Sequence, residues 1–382
     1  MNELYALPDH EVVQRLVPGI ENKILGIDAA CRRIGECSGV VPLAIDPAGD
    51  GHIYFADIGD YPFRQWQYIF TLQHLAGEGR LQQPFSAPLA VLDQIDETIG
   101  LAPSGFIFHV SRCGSTLIGK ALGRSRRNIV INQGAPLQRG FWAAITDDFR
   151  QPASPTQQNL SRFRCLIGLM TRPRWPGAEA AFIKLISWNS LYLDFIRAAC
   201  PAVPKLFLYR QPVEVIASVL QGTTAVLEAR GHRQAAFLAG QPSAAVERMD
   251  SVTYLAACYA NYFKTMLDGT GQDLSFVNYK HIGPDTYGYI LKYALNLMPD
   301  RADYNEMLKQ FQYHSKDDSD KIAFRDDSEK KRSGIPASDR VVIDRACDAL
   351  MSRLEKASQN LFDRQDNTLA ASVETASHGI AT

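Results

Sequence analysis

Residues 105–122 read GFIFHVSRCGSTLIGKAL, and this stretch decides the fold class. An apolar run over residues 106–110 predicts a buried strand, and the apolar spacing that follows predicts a helix over residues 115–122. The turn between them, residues 111–116, places several backbone N–H groups and a helix N-terminus around one concavity. This arrangement is typical of an anion-binding site.

The side chains of the turn also suit an anion. Gly114 lets the backbone approach a ligand closely, and Ser115 and Thr116 add hydroxyl donors. Arg112 adds a permanent positive charge with bidentate geometry. The alternative is a plain strand–turn–helix connection in which a Ser or Thr caps the helix.

Residues 114–121, GSTLIGKA, nearly match the nucleotide-triphosphate loop G-x-x-x-x-G-K-[ST]. Leu117 and Ile118 are too apolar for such a loop and fit a buried helix face instead. Ala121 lacks the hydroxyl that would hold Mg²⁺. We therefore expect Lys120 to be an exposed helical lysine and not a phosphate ligand.

Further along the chain, short apolar runs alternate with helical stretches. Runs of this length and composition, separated by helices, are typical of buried parallel strands. The pattern predicts an α/β fold, a three-layer sandwich with a mainly parallel sheet that binds its ligand at the carboxyl ends of the strands. The strand candidates are residues 106–110, 128–131, 181–185, 205–209 and 274–278, and the helix candidates are residues 115–122, 190–199, 212–220 and 246–267.

The two ends of the chain have sequence patterns that differ from that of the middle. Residues 1–100 predict a small accessory region of mixed α/β structure, with helices at 11–16, 25–35 and 63–75 and a strand at 52–56. This region could cover the substrate site, form an oligomer interface or bind a partner protein. The main domain is expected over residues 101–365, and the Ser-, Ala- and Thr-rich residues 366–382 predict a disordered tail.

Composition excludes several classes of protein. The 382 residues are 46% hydrophobic and 21% charged, as in ordinary globular chains. Lys and Arg number 40 against 41 Asp and Glu, so nothing draws the whole chain to nucleic acid or anionic lipid. The seven cysteines lack zinc-ligand spacing, and neither a signal peptide nor a membrane-length apolar run is present. We expect a cytoplasmic protein with no metal, nucleic-acid or membrane partner.

The sequence Arg112-Cys113-Gly114-Ser115-Thr116 resembles the 5′-phosphosulfate-binding loop of the sulfotransferases. That family transfers a sulfuryl group from 3′-phosphoadenosine 5′-phosphosulfate (PAPS) and has a P-loop NTPase-like fold. Its loop has a Lys or Arg, then a small residue, then Gly and two hydroxyl residues, so Arg112 takes the basic position. The resemblance implies that these five residues bind the donor.

A second element lies at residues 206–220, LFLYRQPVEVIASVL. Arg210 follows a predicted strand, Pro212 suits the first helical turn, and Ser218 lies further along the same helix. The pattern resembles the 3′-phosphate-binding element of the sulfotransferases, which implies that Arg210 and Ser218 bind the phosphate that distinguishes PAPS from ATP. The alternative is an Arg at a strand end and a Ser bonded within its own helix.

Weaker likenesses extend the resemblance towards the C-terminus. Residues 275–285 and the helix predicted after them are similar to a late segment of many sulfotransferases. The charged run at residues 324–334 offers Lys330, Lys331 and Arg332 as further ligands of the 3′-phosphate, although such runs are usually solvated surfaces.

The general base departs from the family pattern. Related branches carry a Glu on the strand after the first helix, where this chain has Gln133, and a glutamine accepts no proton at neutral pH. Either the base lies elsewhere, with His232, Asp147 and Asp148 as the candidates, or the acceptor needs little help, or transfer activity is lost or altered. Lys184, at the end of an apolar strand, is a candidate second cation near the sulfonate, or else a surface lysine at a strand exit.

The two motifs together predict a PAPS-dependent sulfotransferase that leaves adenosine 3′,5′-bisphosphate as its product. The acceptor is expected to be a hydroxyl or amine of a small molecule or peptide. One alternative is an ATP-dependent kinase on a related P-loop scaffold. The other is a catalytically silent nucleotide-binding homologue, which Gln133 favours. The sequence leaves the oligomeric state open, a homo-oligomer included.

Overall fold

The computed structural model describes residues 7–222, 224–323 and 334–362. They divide into two compact units that interleave along the chain. The first unit holds the described residues up to Ser104, together with Arg126–Leu185 and Asp194–Pro201. The second holds Gly105–Ser125, Ile186–Leu193 and the described residues from Ala202 onward. The expected boundaries near residues 100 and 365 stay predictions, and the expected tail lies outside the described residues.

The strands and helices within these ranges are numbered in chain order. The strands are β1 Val40–Asp46, β2 His52–Asp57, β3 Gln82–Pro88, β4 Gly105–His109, β5 Asn128–Asn132, β6 Ala180–Lys184, β7 Lys205–Tyr209 and β8 Leu274–Asn278. The first helices are α1 Asp9–Leu16, α2 Ile27–Glu36, α3 Tyr68–Gly77, α4 Ser115–Leu122, α5 Gly140–Ile145, α6 Gln157–Met170, α7 Leu193–Ala199 and α8 Pro212–Gly222. The remaining helices are α9 Ala225–Glu228, α10 Ala235–Ala239, α11 Ser243–Val246, α12 Ser251–Asp268, α13 Pro284–Leu295, α14 Arg301–Leu308 and α15 Ala337–Lys356.

The larger sheet has five strands in the order β5-β6-β4-β7-β8, flanked by helices. The pairs β5/β6, β4/β7 and β7/β8 are parallel, and every residue of β4 and β7 is buried. The predicted α/β class with a mainly parallel sheet is therefore confirmed. In the second unit, β4 pairs with β7 from Phe106 opposite Lys205 to His109 opposite Leu208. The carboxyl ends of these two strands consequently meet at the same edge.

The smaller sheet is antiparallel, with the strand order β1-β2-β3. It confirms the mixed α/β character expected of the N-terminal region, but only β2 was predicted as a strand. Prolines conceal the other two, because Pro42 interrupts β1 and Pro84 and Pro88 lie in β3. Both are edge strands, where a proline costs no ladder hydrogen bond, and the pairing of β1 shifts register between Pro42 and Ala44.

An aromatic cluster forms part of the core of the first unit. Phe141 and Trp142 of α5 pack against Phe163 of α6 and Phe195 of α7, with ring centroids 5.1 to 6.1 Å apart. The Trp142 indole N–H donates to the carbonyl oxygen of Leu137 at 2.9 Å, so its polar atom is satisfied inside the core.

Asp9, the first residue of α1, makes the stability of the first unit depend on pH. Its Oδ1 accepts a hydrogen bond from Gln138 at 3.3 Å, while Oδ2 is buried without a partner among the described residues. Burial raises the pKa of Asp9 to about 7, by more than nearby Arg139 lowers it. When a carboxyl has a higher pKa in the folded state than in the unfolded state, the free energy of unfolding falls as the pH rises between the two pKa values.

We therefore expect the stability gained by Asp9→Asn to develop as the pH rises from 3.8 to about 7 and to level off above that range. Thermal denaturation should show little change near pH 4 and a gain of about 1–2 kcal/mol at pH 8, less than the full pKa shift because the residue is partly exposed. Asp28→Asn, at an exposed position of α2, is the matched control and should show neither effect. An equal gain at both pH values would contradict the expectation.

Candidate anion-binding site

The loop between β4 and α4 has an unusual backbone. Ser111, Arg112 and Gly114 all have positive φ angles, of 71°, 50° and 82°. For a residue other than glycine this conformation costs about 1–3 kcal/mol and persists only where the surroundings enforce it. Here His109 Nδ1 accepts the Ser111 N–H at 2.9 Å, and the buried Cys113 thiol donates to the carbonyl oxygen of Leu208 at 3.2 Å. These two hydrogen bonds, one to a residue of β4 and one to a residue of β7, hold the loop in its strained conformation.

Gly114 stands at the N-cap of α4, and no side chain caps this helix. By contrast, Asp250 caps α12 by accepting the Thr253 N–H at 2.7 Å. The first turn of α4, with Ser115 and Thr116, thus keeps the positive partial charge of a helix N-terminus without a capping acceptor. This is the donor set that an anion requires.

The space beside Gly114 is already filled by side chains of the second unit. A Cβ atom at this position would lie 3.0 Å from Ile282 Cδ1 and 3.1 Å from Tyr279 Cδ2. Both the positive φ and this close approach to Ile282 and Tyr279 require glycine, while the predicted close approach of the Gly114 backbone to a ligand stays a prediction.

Arg210 links the second predicted element to this loop. It follows β7, is only 4% exposed, and donates from Nη1 to the carbonyl oxygen of Arg112 at 3.1 Å. Its Nε donates to Oε2 of the buried Glu214 at 2.5 Å, and its guanidinium lies 4.1 Å from the centre of the Tyr279 ring. The two sequence motifs therefore meet through one buried, charge-assisted network.

The second unit also holds Arg112 and Ser218, two further residues of the predicted site. Arg112 is half-buried, and its Nη2 donates to the carbonyl oxygen of Gly222 at 3.3 Å, at the end of α8. Helix α8 begins at Pro212, as predicted, and carries Ser218 in a buried position. The ligands that these residues bind stay predictions.

Glu214 and Tyr279 are the partners that the sequence analysis missed. A signal existed for Glu214, because it stands one helical turn after Arg210, where opposite charges meet. Tyr279 lies in the late segment singled out at residues 275–285, but no sequence rule places it against Arg210 and Gly114.

Lys120 is buried, so its expected exposure is wrong. Its Nζ donates to the carbonyl oxygen of Asp317 at 2.8 Å and to Oδ1 of Asp318 at 3.1 Å. Leu117 and Ile118 are buried in α4, as predicted, so residues 115–122 form a helix and not a triphosphate loop. The Lys120 amine serves to attach α4 to a distant part of the chain.

Gln133 and Lys184 both lie in the first unit. Lys184 is fully buried at the end of β6, and its carbonyl oxygen accepts the N–H of the buried Gln133 at 2.7 Å. Gln133 has a φ of 54°, another left-handed residue directly after a strand. Asp147 and Asp148 are exposed, and Asp147 pairs with Arg150 at 2.8 Å. The catalytic roles considered for these residues stay predictions.

His232 is exposed and lines a surface cavity of about 760 Å³ in the second unit. Arg230, Glu247 and Ser251 line the same cavity, and Arg230 donates to the Ser251 hydroxyl at 3.2 Å. Lys330, Lys331 and Arg332 lie outside the described residues.

All seven cysteines are free. No group of three or more His, Cys, Asp or Glu within the described ranges could hold a metal ion. In the same part of the chain, no helix has the length and apolar character needed to cross a bilayer.

Comparison with known proteins finds structural likeness but no sequence match. No family model matches this chain, and no curated protein does. Among solved structures, the chain is similar to a sulfotransferase domain from the curacin biosynthetic pathway, at 13% identity and a TM-score of 0.39. The match covers 66% of this chain and 98% of that domain. At this level of likeness the function has to be inferred from the chain's own residues.

Proposed function

We propose that this protein is a sulfotransferase that moves the sulfuryl group of PAPS to a hydroxyl or amine of a small-molecule or peptide acceptor. The observation that supports this most strongly is the hydrogen bond from Arg210 to the carbonyl oxygen of Arg112. It joins a phosphate-loop motif and a 3′-phosphate motif within one unit, in the order that the sulfotransferase resemblance implies.

The residues of the loop fit the donor. The uncapped N-terminus of α4, with the Ser115 and Thr116 hydroxyls, would hold the 5′-phosphate, and Arg112 would neutralise charge on the sulfonate and the bridging oxygen. Arg210 and Ser218 would hold the 3′-phosphate. When bound, the phosphosulfate supplies a sulfuryl group whose bond to the bridging oxygen breaks, with the electron pair left on the phosphate, while the acceptor bonds to sulfur.

The acceptor must also lose a proton to a base. His232 lines its cavity with an exposed imidazole, a side chain that can serve as a general base, whereas the Gln133 amide cannot. An amine or an acidic hydroxyl would need less help than an alcohol. We therefore propose His232 as the base that takes the proton of the acceptor. If His232 does not act as the base, the acceptor has to be an amine or an acidic hydroxyl.

The residues around α4 suit the kinase alternative less well. Kinase chemistry at residues 114–121 would need Lys120 on a phosphate and a hydroxyl at position 121. Lys120 is bonded to Asp317 and Asp318, and Ala121 is fully buried in α4.

Thermal denaturation with two ligands tests the proposal. A ligand at about a hundred times its dissociation constant adds about 2.7 kcal/mol to the free energy of unfolding. We expect adenosine 3′,5′-bisphosphate to raise the melting temperature without Mg²⁺. Stabilisation by ATP·Mg²⁺ alone would overturn the sulfotransferase proposal in favour of a kinase.

The variant Ser218→Ala tests the 3′-phosphate element separately. Loss of one hydrogen bond to a charged phosphate should weaken the binding of adenosine 3′,5′-bisphosphate by about tenfold or more. The affinity for adenosine 5′-monophosphate should not change. Ser338→Ala, exposed on α15, is the matched control. Titrations that show unchanged affinity, or equal weakening of both nucleotides, would remove Ser218 from the site.

A further inference from the structure

Helix α12 carries three tyrosines whose hydroxyls are buried in the second unit. Tyr254, Tyr259 and Tyr262 are each 1% exposed or less. None of the three hydroxyls has a hydrogen-bond partner of normal geometry within the described residues. A buried hydroxyl left in this state costs about 1–3 kcal/mol, so three on one helix require an explanation.

The three hydroxyls have different surroundings. That of Tyr254 lies near Cys258 and Arg230, and that of Tyr262 lies near Ser187. The Tyr259 hydroxyl lies near Ser111 and Arg112, in the anion-binding loop. Of the three, Tyr259 is thus the one that faces the proposed donor site.

The environment of Tyr259 favours a neutral hydrogen-bond donor. Burial raises the pKa of Tyr259 far above its ordinary value, by more than Arg112 lowers it. The phenol therefore keeps its proton throughout the physiological pH range and cannot serve as a base. A fixed O–H donor that is out of contact with water and within the electrostatic influence of the Arg112 guanidinium is suited to stabilising an anionic oxygen.

The Tyr259 ring is also held in place. It packs edge to face on Tyr262, with centroids 5.8 Å apart, and helix α12 is fixed at its start by the Asp250 cap. A hydroxyl on a rigid helix is positioned more precisely than one on a loop.

We propose that the Tyr259 hydroxyl donates a hydrogen bond to the sulfonate group bound against Arg112, and so distinguishes PAPS from its product. This inference rests on the proposed sulfotransferase function. Adenosine 3′,5′-bisphosphate has no sulfonate, so the contact exists before transfer and is lost after it. Tyr259 thereby favours binding of the substrate over retention of the product.

Two nucleotides and two matched variants test this role. Calorimetric titration should show that wild-type protein binds PAPS more tightly than adenosine 3′,5′-bisphosphate. Tyr259→Phe should weaken the binding of PAPS by about tenfold or more and change the affinity for adenosine 3′,5′-bisphosphate by no more than about twofold. Tyr262→Phe, the neighbouring buried tyrosine on the same helix, should change neither affinity.

The melting temperature of the unliganded Tyr259→Phe variant provides a second test. Because Tyr259→Phe removes a hydroxyl that lacks a good partner, it should melt at or above the wild-type temperature. A lower melting temperature with parallel weakening of both nucleotides would show that Tyr259 only supports the loop through Ser111. Unchanged PAPS affinity would also overturn the inference while leaving the proposed function intact. Failure of wild-type protein to bind either nucleotide would overturn both.

Discussion

Arg210→Ala is expected to abolish binding of adenosine 3′,5′-bisphosphate and to lower the free energy of unfolding by about 3–5 kcal/mol. The loss of stability follows from Glu214, which is 5% exposed and would keep a buried negative charge without its cation. The loss of binding follows from the missing guanidinium and from release of the Arg112 carbonyl oxygen that it holds. Urea unfolding and calorimetric titration measure the two effects.

A double variant separates these effects. Arg210→Met combined with Glu214→Leu removes both buried charges, and such replacements are often neutral or stabilising. We expect it to recover most of the lost stability and none of the nucleotide affinity. Arg353→Ala, exposed on α15, is the control for loss of a positive charge elsewhere. Recovered nucleotide binding in the double variant would show that Arg210 has only a structural role.

Gly114→Ala is the second change with a large expected effect. The alanine would have a φ of 82°, and its Cβ would meet the Ile282 and Tyr279 side chains at 3.0 and 3.1 Å, so that either these side chains or the loop must shift. We expect a loss of about 1–3 kcal/mol of stability and at least a tenfold loss of affinity for adenosine 3′,5′-bisphosphate.

A second glycine isolates the backbone cost. Gly177 has nearly the same φ, 84°, but nothing lies within 4 Å of an added Cβ. Gly177→Ala should therefore cost about 1 kcal/mol of stability and leave nucleotide affinity unchanged. If Gly114→Ala behaves like Gly177→Ala in the titration, the loop does not need its present shape to bind the nucleotide.

The fold was predicted from the sequence where burial alone determines the pattern. Strands β7 and β8 were predicted at their observed limits, because a strand buried between helices reads as a continuous apolar run. Helix α4 was also predicted at its observed limits. Strands β1 and β3 were missed because their prolines are tolerated only at a sheet edge, and edge position is a property of the assembled sheet.

The candidate site was predictable in its local parts and not in its long-range contacts. Each motif showed which residues stand at a strand end or a helix start, but not that Arg210 reaches the Arg112 carbonyl oxygen. Lys120 was misjudged because its partners at Asp317 and Asp318 lie almost two hundred residues away. Tyr259 gave no signal, since an aromatic residue at helical spacing reads as ordinary core.

Calorimetric titration of the wild-type protein with adenosine 3′,5′-bisphosphate tests most directly whether the loop and Arg210 form one nucleotide site. We predict that each chain binds one molecule, without Mg²⁺, at least about tenfold more tightly than it binds adenosine 5′-monophosphate. Equal affinity for the two nucleotides, or binding of ATP only together with Mg²⁺, would contradict a site built for PAPS.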